Sequence, residues 1–193
     1  YPDGSFQPER TVNRAEALKM ITLTAQSVQK MLDNPGKQAS ITFPDIETSA
    51  WYMPYLKLAM SYDVVKGYPD GFFRPEKTVN LVESLKMALE ASEIDLSKIS
   101  IKENPYADAF MDQWYATYVE YARRNNLIDA DSKNRIYPNQ GMKRGTLAEV
   151  LYRLLLKFQS GDSGSSPLKT LAEKRGIRFG AMYQSYFRGD LYD

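Results

Sequence analysis

The chain carries one loop twice, and this internal repeat limits its possible fold more than any other feature. Residues 1–16 read YPDGSFQPERTVNRAE, and residues 68–83 read YPDGFFRPEKTVNLVE. When residues 1–21 are shifted by 67 positions, 14 of the 21 positions are identical. Self-similarity of this kind is typical of folds assembled from one supersecondary unit that packs against its own copies.

A second comparison, with a shift of 63 positions, reveals a third copy without any gap. The matched pairs are Phe43 with Tyr106, Asp45 with Asp108, Trp51 with Trp114, Tyr52 with Tyr115, Tyr55 with Tyr118, Ala59 with Ala122 and Val64 with Leu127. We therefore divide the chain into three units, at residues 1–40, 41–103 (with a charged connector) and 104–159. The first unit opens on the repeated loop, so we expect it to be truncated and the chain to be a fragment of a longer protein.

Each complete unit predicts two helices joined by a glycine-containing loop. Apolar residues at spacings of three and four lie on one face of the second helix. This stripe is Leu18, Ile21, Ala25, Val28 and Leu32 in the first unit, and Leu147, Leu151, Leu154 and Phe158 in the third.

The start of the second helix has its own signature. Asn13 followed by Glu16 fits a capping box, and Asn80 with Glu83 repeats it. The phenylalanines predicted to pin the two loops to the core are Phe6 and Phe73. Forming the loop and starting the helix therefore explain many of the repeated residues.

Composition excludes several classes of function. The chain has no Cys and no His, which rules out disulfides, thiolate metal sites and histidine-based catalysis. A net charge of +1 provides no general field for nucleic acid or an anionic membrane, and no apolar run is long enough to span a bilayer. An EF-hand reading of the segment from Asp129 fails because Lys133, Asn134 and Gln140 occupy ligand or glycine positions. We expect no cofactor and no metal.

The order of motifs resembles the S-layer homology domain. In the second unit the resemblance is carried by residues 43–45, 51–52, 67–75 and 80–83, and the first unit adds Asn13-Arg14-Ala15-Glu16. It covers residues 1–160. The resemblance implies an all-α, pseudo-threefold domain in which one helix of each repeat meets in a central three-helix bundle.

The resemblance also implies a function. Grooves between neighbouring repeats of such domains bind secondary cell-wall polysaccharide, typically pyruvylated, and so anchor a larger extracellular protein to the bacterial surface. An arginine at the start of the second helix is a principal ligand contact in the family, which points to Arg14 and Arg144 here. The second unit has Leu81 at this position, and the third lacks the capping glutamate. The alternative for each arginine is a solvated charge at a helix start.

Six further residues complete the predicted polysaccharide site. They are Asp45, Trp51, Gly67, Asp70, Asp108 and Trp114. An aromatic ring can cover the apolar face of a sugar, and a glycine lets a ligand approach the backbone. For the two tryptophans, a place in the core is the open alternative.

The last part of the chain changes character. Residues 160–167 read as a flexible linker, and residues 168–193 predict a short helix and then a strand. The stretch from Leu171 to Ala181 is similar to the opening of family-10 glycoside hydrolases, which are endo-xylanases on a (β/α)₈ barrel. This similarity implies that both catalytic carboxylates would lie beyond Asp193; the alternative is an ordinary C-terminal helix and tail.

Three interpretations of function follow from these patterns. The first is a non-catalytic anchor that binds wall polysaccharide, with no nucleic-acid or membrane partner. The second is a fragment of an endo-xylanase, with xylan as the substrate of a downstream domain. The third is a structural protein of a surface lattice.

Overall fold

The computed structural model describes residues 3–24, 43–61 and 63–160. Within these ranges the chain forms helices joined by loops, with only isolated bridges and no β-strand. The helices are α1 (Arg14–Thr24), α2 (Met53–Ser61), α3 (Leu81–Ala91), α4 (Ala116–Arg124) and α5 (Arg144–Ser160). This confirms the all-α class for the described part. The predicted linker, the tail at 168–193, and Ala25, Val28 and Leu32 of the first stripe lie outside the described residues.

Two helices begin at the predicted capping boxes. In α1 the amide of Glu16 donates to Asn13 Oδ1 at 2.8 Å, and the amide of Asn13 donates to Glu16 Oε2 at 3.1 Å. In α3 the corresponding distances between Asn80 and Glu83 are 2.8 and 3.0 Å. Each box satisfies two backbone donors that a helix start would otherwise leave without partners.

The apolar stripes form the core. Leu18 and Ile21 of α1 and Leu147 of α5 are fully buried. Helix α1 packs against α2, α3 and α5, and α3 packs against α4. The pinning role predicted for Phe73 is confirmed, because it is fully buried with its ring 5.7 Å from that of Phe43. Phe6 is only half-buried.

A closed ring of backbone hydrogen bonds joins the three units just before α1, α3 and α5. The amide of Val12 donates to Met142 O at 2.9 Å, that of Met142 to Val79 O at 2.8 Å, and that of Val79 to Val12 O at 3.2 Å. Each unit therefore donates to one neighbour and accepts from the other.

A second set of bonds at the helix starts runs around the three units in the opposite direction. The first amide of each helix donates to the loop of the next unit: Arg14 to Lys77 O at 2.9 Å, Leu81 to Gln140 O at 3.0 Å, and Arg144 to Arg10 O at 2.9 Å. As a result, the first residue of each helix lies beside a loop that belongs to a different unit. This arrangement positions the predicted arginines at the boundaries between units.

Candidate functional site

A groove lies where the start of α1 meets the loop of the second unit and α3. Its volume is about 480 Å³, and we call it groove A. The lining residues important here are Arg14, Gly67, Tyr68, Lys86, Glu90 and Trp114. All three units contribute to it, and the ring of backbone hydrogen bonds joins the same three units.

Arg14 is a buried cation in this groove. Only 7% of the residue is exposed, and its Nε has no hydrogen-bond partner among the described residues. The guanidinium carbon lies 4.7 Å from the centre of the Tyr68 ring and 5.3 Å from that of Phe73. Nη1 is 3.5 Å from the Tyr68 hydroxyl, and no described carboxylate pairs with the guanidinium. Since a buried charge is costly unless it is paired, this geometry favours an anionic ligand.

Tyr68 is fixed in place beneath Arg14. Its hydroxyl donates to Glu83 Oε1 at 3.0 Å and accepts from Lys77 Nζ at 3.2 Å. Lys77 Nζ also lies 3.6 Å from Glu83 Oε1. Because Glu83 also closes the capping box of α3, one carboxylate positions both the helix start and the ring on which Arg14 stacks.

The opposite wall is aromatic. Trp114 is 57% exposed, and Lys86 Nζ lies 5.8 Å from the centre of its ring. Behind it, the Tyr118 hydroxyl donates to Glu90 Oε1 at 2.6 Å. Burial raises the pKa of Tyr118, and its bond to Glu90 raises that pKa further, so the hydroxyl stays a donor. The wall thus combines an open indole face with charged groups, a surface suited to a sugar ring.

A related but different groove lies one unit further around the ring. It encloses about 260 Å³, and we call it groove B. Leu81 takes the place of Arg14, and Arg153 takes the place of Glu90. Arg153 donates to both oxygens of Asp129, at 2.6 and 3.0 Å, and to Glu149 Oε1 at 2.5 Å. The second cation of this groove, Lys143, pairs with Glu9 at 2.7 Å.

Three of the predicted site residues, Arg14, Gly67 and Trp114, lie together in groove A. Gly67 also has a packing role, since its φ is +77° and a Cβ there would come within 2.4 Å of the Phe43 ring. The exposure of Trp114, and of Trp51 at 51%, shows that neither tryptophan belongs to the core.

The predicted aspartates are engaged in building loops. The carboxylate of Asp45 accepts from the amides of Phe73 at 2.9 Å and Arg74 at 2.6 Å. That of Asp108 accepts from Ile136 at 2.9 Å and Tyr137 at 2.7 Å in the third unit. Asp70 accepts from the amide of Phe72 at 3.2 Å and pairs with the Arg74 guanidinium.

Arg144 and Trp51 lie away from groove A, at the boundary with the first unit. The Arg144 guanidinium carbon is 5.0 Å from the centre of the Phe6 ring. This repeats the contact of Arg14, whose guanidinium carbon is 5.3 Å from the centre of the Phe73 ring. Lys19 Nζ is 5.6 Å from the Trp51 ring, repeating the pair of Lys86 and Trp114.

Sequence reasoning missed Tyr68, Lys86 and Glu90 as lining residues. A signal for Lys86 was present, because the triplet Leu-Lys-Met occurs at 18–20 and again at 85–87. In the part of the chain that the structure describes, no cluster of acidic side chains could hold a metal ion, and no helix there is long and apolar enough to cross a bilayer.

Comparison with known proteins identifies relatives of this architecture. The family model for the S-layer homology domain matches residues 1–18, 42–81 and 105–148. Cell surface glycoprotein 1 of Acetivibrio thermocellus is 28% identical over 166 residues, which cover 80% of this chain and 7% of that protein. The cellulosome-anchoring protein of the same organism is 27% identical over 157 residues, covering 80% of this chain and 34% of that protein.

A third relative is an enzyme by name. Endo-1,4-beta-xylanase A of Thermoanaerobacterium saccharolyticum is 31% identical over 113 residues, which cover 56% of this chain and 9% of that protein. The chain therefore spans between 7% and 34% of the length of these three relatives.

Proposed function

The chain belongs to the S-layer homology domain family, and we propose that groove A binds the carboxylate-bearing units of a pyruvylated secondary cell-wall polysaccharide. Domains of this family anchor proteins at the cell surface, which is the location of this chain. The observation that carries the proposal is the buried Arg14 guanidinium, which has no carboxylate partner among the described residues.

The chemistry of the groove suits such a ligand. A pyruvate ketal presents a carboxylate, which a planar guanidinium can bind through two parallel hydrogen bonds. Arg14 is the first residue of α1, so the positive end of the helix dipole adds to the attraction. Trp114 then offers its exposed face to the sugar ring that carries the ketal.

We further propose that the three units form a pseudo-threefold domain around a central bundle of α1, α3 and α5. The closed ring through Val12, Val79 and Met142 supports this arrangement, because each unit makes the same donor and acceptor contacts with its neighbours. The contacts of α1 with both α3 and α5 also support it.

Replacement of Arg14 by Leu tests the binding proposal. Leu81 occupies the equivalent position in the second unit with 8% exposure, so the fold accommodates leucine at this place. We expect the variant to retain its helical circular dichroism and to lose most of its sedimentation with purified cell-wall sacculi. Arg14→Ala serves as a second variant with the same expectation.

Sacculi stripped chemically of their secondary polymer provide the control. The unaltered chain should pellet with intact sacculi and remain in solution with stripped ones. Equal pelleting with both preparations would refute polysaccharide binding, whereas loss of helical signal in the Arg14 variants would show that the arginine is structural.

A second proposal concerns the longer protein. We propose that residues 168–193 open a family-10 glycoside hydrolase domain, so that the anchor retains a xylan-degrading enzyme at the surface. The named xylanase among the relatives supports this reading. Reading the coding sequence that follows Asp193 and assaying the extended protein on xylan tests it; a long non-enzymatic region would instead favour a structural surface-layer protein.

A further inference from the structure

Corresponding positions in the three units vary together. Where the first helical residue is arginine, at Arg14 and Arg144, the sixth position of the corresponding helix in the adjoining unit is a lysine, Lys86 and Lys19 respectively. In groove B the first residue is Leu81 and the sixth position is Glu149. Arginine and lysine are thus present together at two boundaries and are both lost at the third.

The lysines also share a structural setting. Lys86 Nζ lies 5.8 Å from the Trp114 ring, and Lys19 Nζ lies 5.6 Å from the Trp51 ring. In each case the lysine comes from one unit and the tryptophan from the next. A cation over an exposed indole is placed beside the surface that a sugar ring would cover.

The cations of the two grooves differ in their pairing. In groove A, Lys66 lies 3.9 Å from Asp63, whereas Arg14 and Lys86 form no ion pair within the described residues. The carboxylates of Glu83 and Glu90 in this groove accept tyrosine hydroxyls. Two positive charges therefore remain available to a ligand.

In groove B both cations already have carboxylate partners. Arg153 is paired with Asp129 and Glu149, and Lys143 is paired with Glu9. An anionic ligand would have to displace these internal carboxylates or meet their repulsion.

We propose that Lys86 is a second ligand-binding cation of groove A and that groove B, whose charges are cancelled internally, does not take the anionic glycan. This inference rests on the proposed function and adds a specificity-determining residue and a limit on the number of binding sites. Lys86 acts with Arg14 to select glycan units that carry a carboxylate.

The experiment compares the same substitution in the two grooves. Lys86→Gln and Lys143→Gln each remove one groove-lining ammonium group. Soluble wall polysaccharide released from sacculi is titrated into each variant in a calorimeter, with circular dichroism as the check of folding. We expect Lys86→Gln to weaken binding about tenfold, the loss typical of one charge-assisted hydrogen bond, and Lys143→Gln to leave the affinity unchanged.

Two further measurements separate the possible failures. Lys86→Arg should restore most of the affinity, and the affinity of Lys86→Gln should fall less steeply with added NaCl than that of the unaltered chain, because one charge is missing. If Arg14→Leu abolishes binding while Lys86→Gln binds normally, the proposed function survives and the role of Lys86 is refuted. An equal loss in Lys143→Gln would overturn the exclusion of groove B, and normal binding by all variants would refute groove A itself.

Discussion

At the scale of single residues, Asp45 shows how a motif aspartate can serve the loop that presents a site. Both of its carboxylate oxygens accept backbone amides, from Phe73 and Arg74, in the segment that leads from the second-unit loop to α3. Asp108 makes the same pair of bonds in the third unit. Two independent occurrences of one geometry indicate that this position shapes the loop.

We predict that Asp45→Asn lowers the free energy of unfolding by about 1 kcal/mol, because one of the two backbone amides loses its carboxylate acceptor. Urea denaturation followed by circular dichroism measures the change. Asp63→Asn is the control, since Asp63 is exposed and lies 3.9 Å from its lysine partner. An unchanged unfolding midpoint in Asp45→Asn would contradict the proposed loop-anchoring role.

The same carboxylate predicts a pH dependence. Partial burial raises the pKa of Asp45, but the hydrogen bonds from Phe73 and Arg74 outweigh it and bring that pKa below its usual value. A lowered folded-state pKa contributes stability that is present above the unfolded pKa of about 4 and lost as the pH falls through the folded value. We expect the stability difference between the unaltered chain and Asp45→Asn to shrink below pH 4, measured by urea denaturation across an acid series.

Some lining residues of groove A were among the residues named from the sequence, and others were not, for physical reasons. Arg14 was indicated by the resemblance to the family, and Gly67 by the access to the backbone that a glycine gives a ligand. Lys86 could not be separated from a helix surface lysine, because its position beside Trp114 depends on how two units meet. The hydrogen bond from the Phe73 amide to the Asp45 carboxylate likewise joins residues that are 28 positions apart, so no local pattern reveals it.

At the scale of helices, the residue at which a helix begins was easier to predict than the way the helices pack together. The start of α3 depends on contacts three residues apart, Asn80 with Glu83, which a sequence displays directly. Which helix packs on which depends on bonds such as that from Arg144 to Arg10, which are remote in sequence and leave no local pattern. The all-α class was therefore predictable, and the order of units around the ring was not.

The unequal capping of α3 and α5 yields a prediction at this scale. Asn80→Ala removes the side chain that caps α3 and should lower the free energy of unfolding by about 1 kcal/mol. Lys143 precedes α5 at the matching position, and its side chain pairs, among the residues that the structure describes, only with Glu9 in an exposed ion pair. Lys143→Ala should change stability little. Thermal unfolding measures the stability of both variants. Equal losses of stability in Asn80→Ala and Lys143→Ala would show that the capping box stabilises the helix no more than another side chain at this position.

At the scale of the whole molecule, backbone hydrogen bonds close the third unit onto the first. The amide of Gly145 donates to Pro8 O at 2.8 Å, next to the bond from Arg144 to Arg10. A Cβ at Gly145 would lie 3.0 Å from Pro8 Cβ and 3.2 Å from Pro8 O. The equivalent residues, Ala15 and Val82, carry side chains at their own boundaries, so this contact is tighter than its two counterparts.

We therefore predict that Gly145→Val separates the first unit from the third and destabilises the chain by about 1–3 kcal/mol, the range for an overpacked contact. Hydrogen exchange should show faster exchange at the amides of Val12 and Met142, because Val12 donates across the strained boundary and Met142 continues the ring to Val79. Thr146→Val, at an exposed neighbouring position, is the control for adding a valine to the same helical turn. If Gly145→Val unfolds with the midpoint of the unaltered chain and retains slow exchange at both amides, closure of the ring does not limit the stability of the molecule.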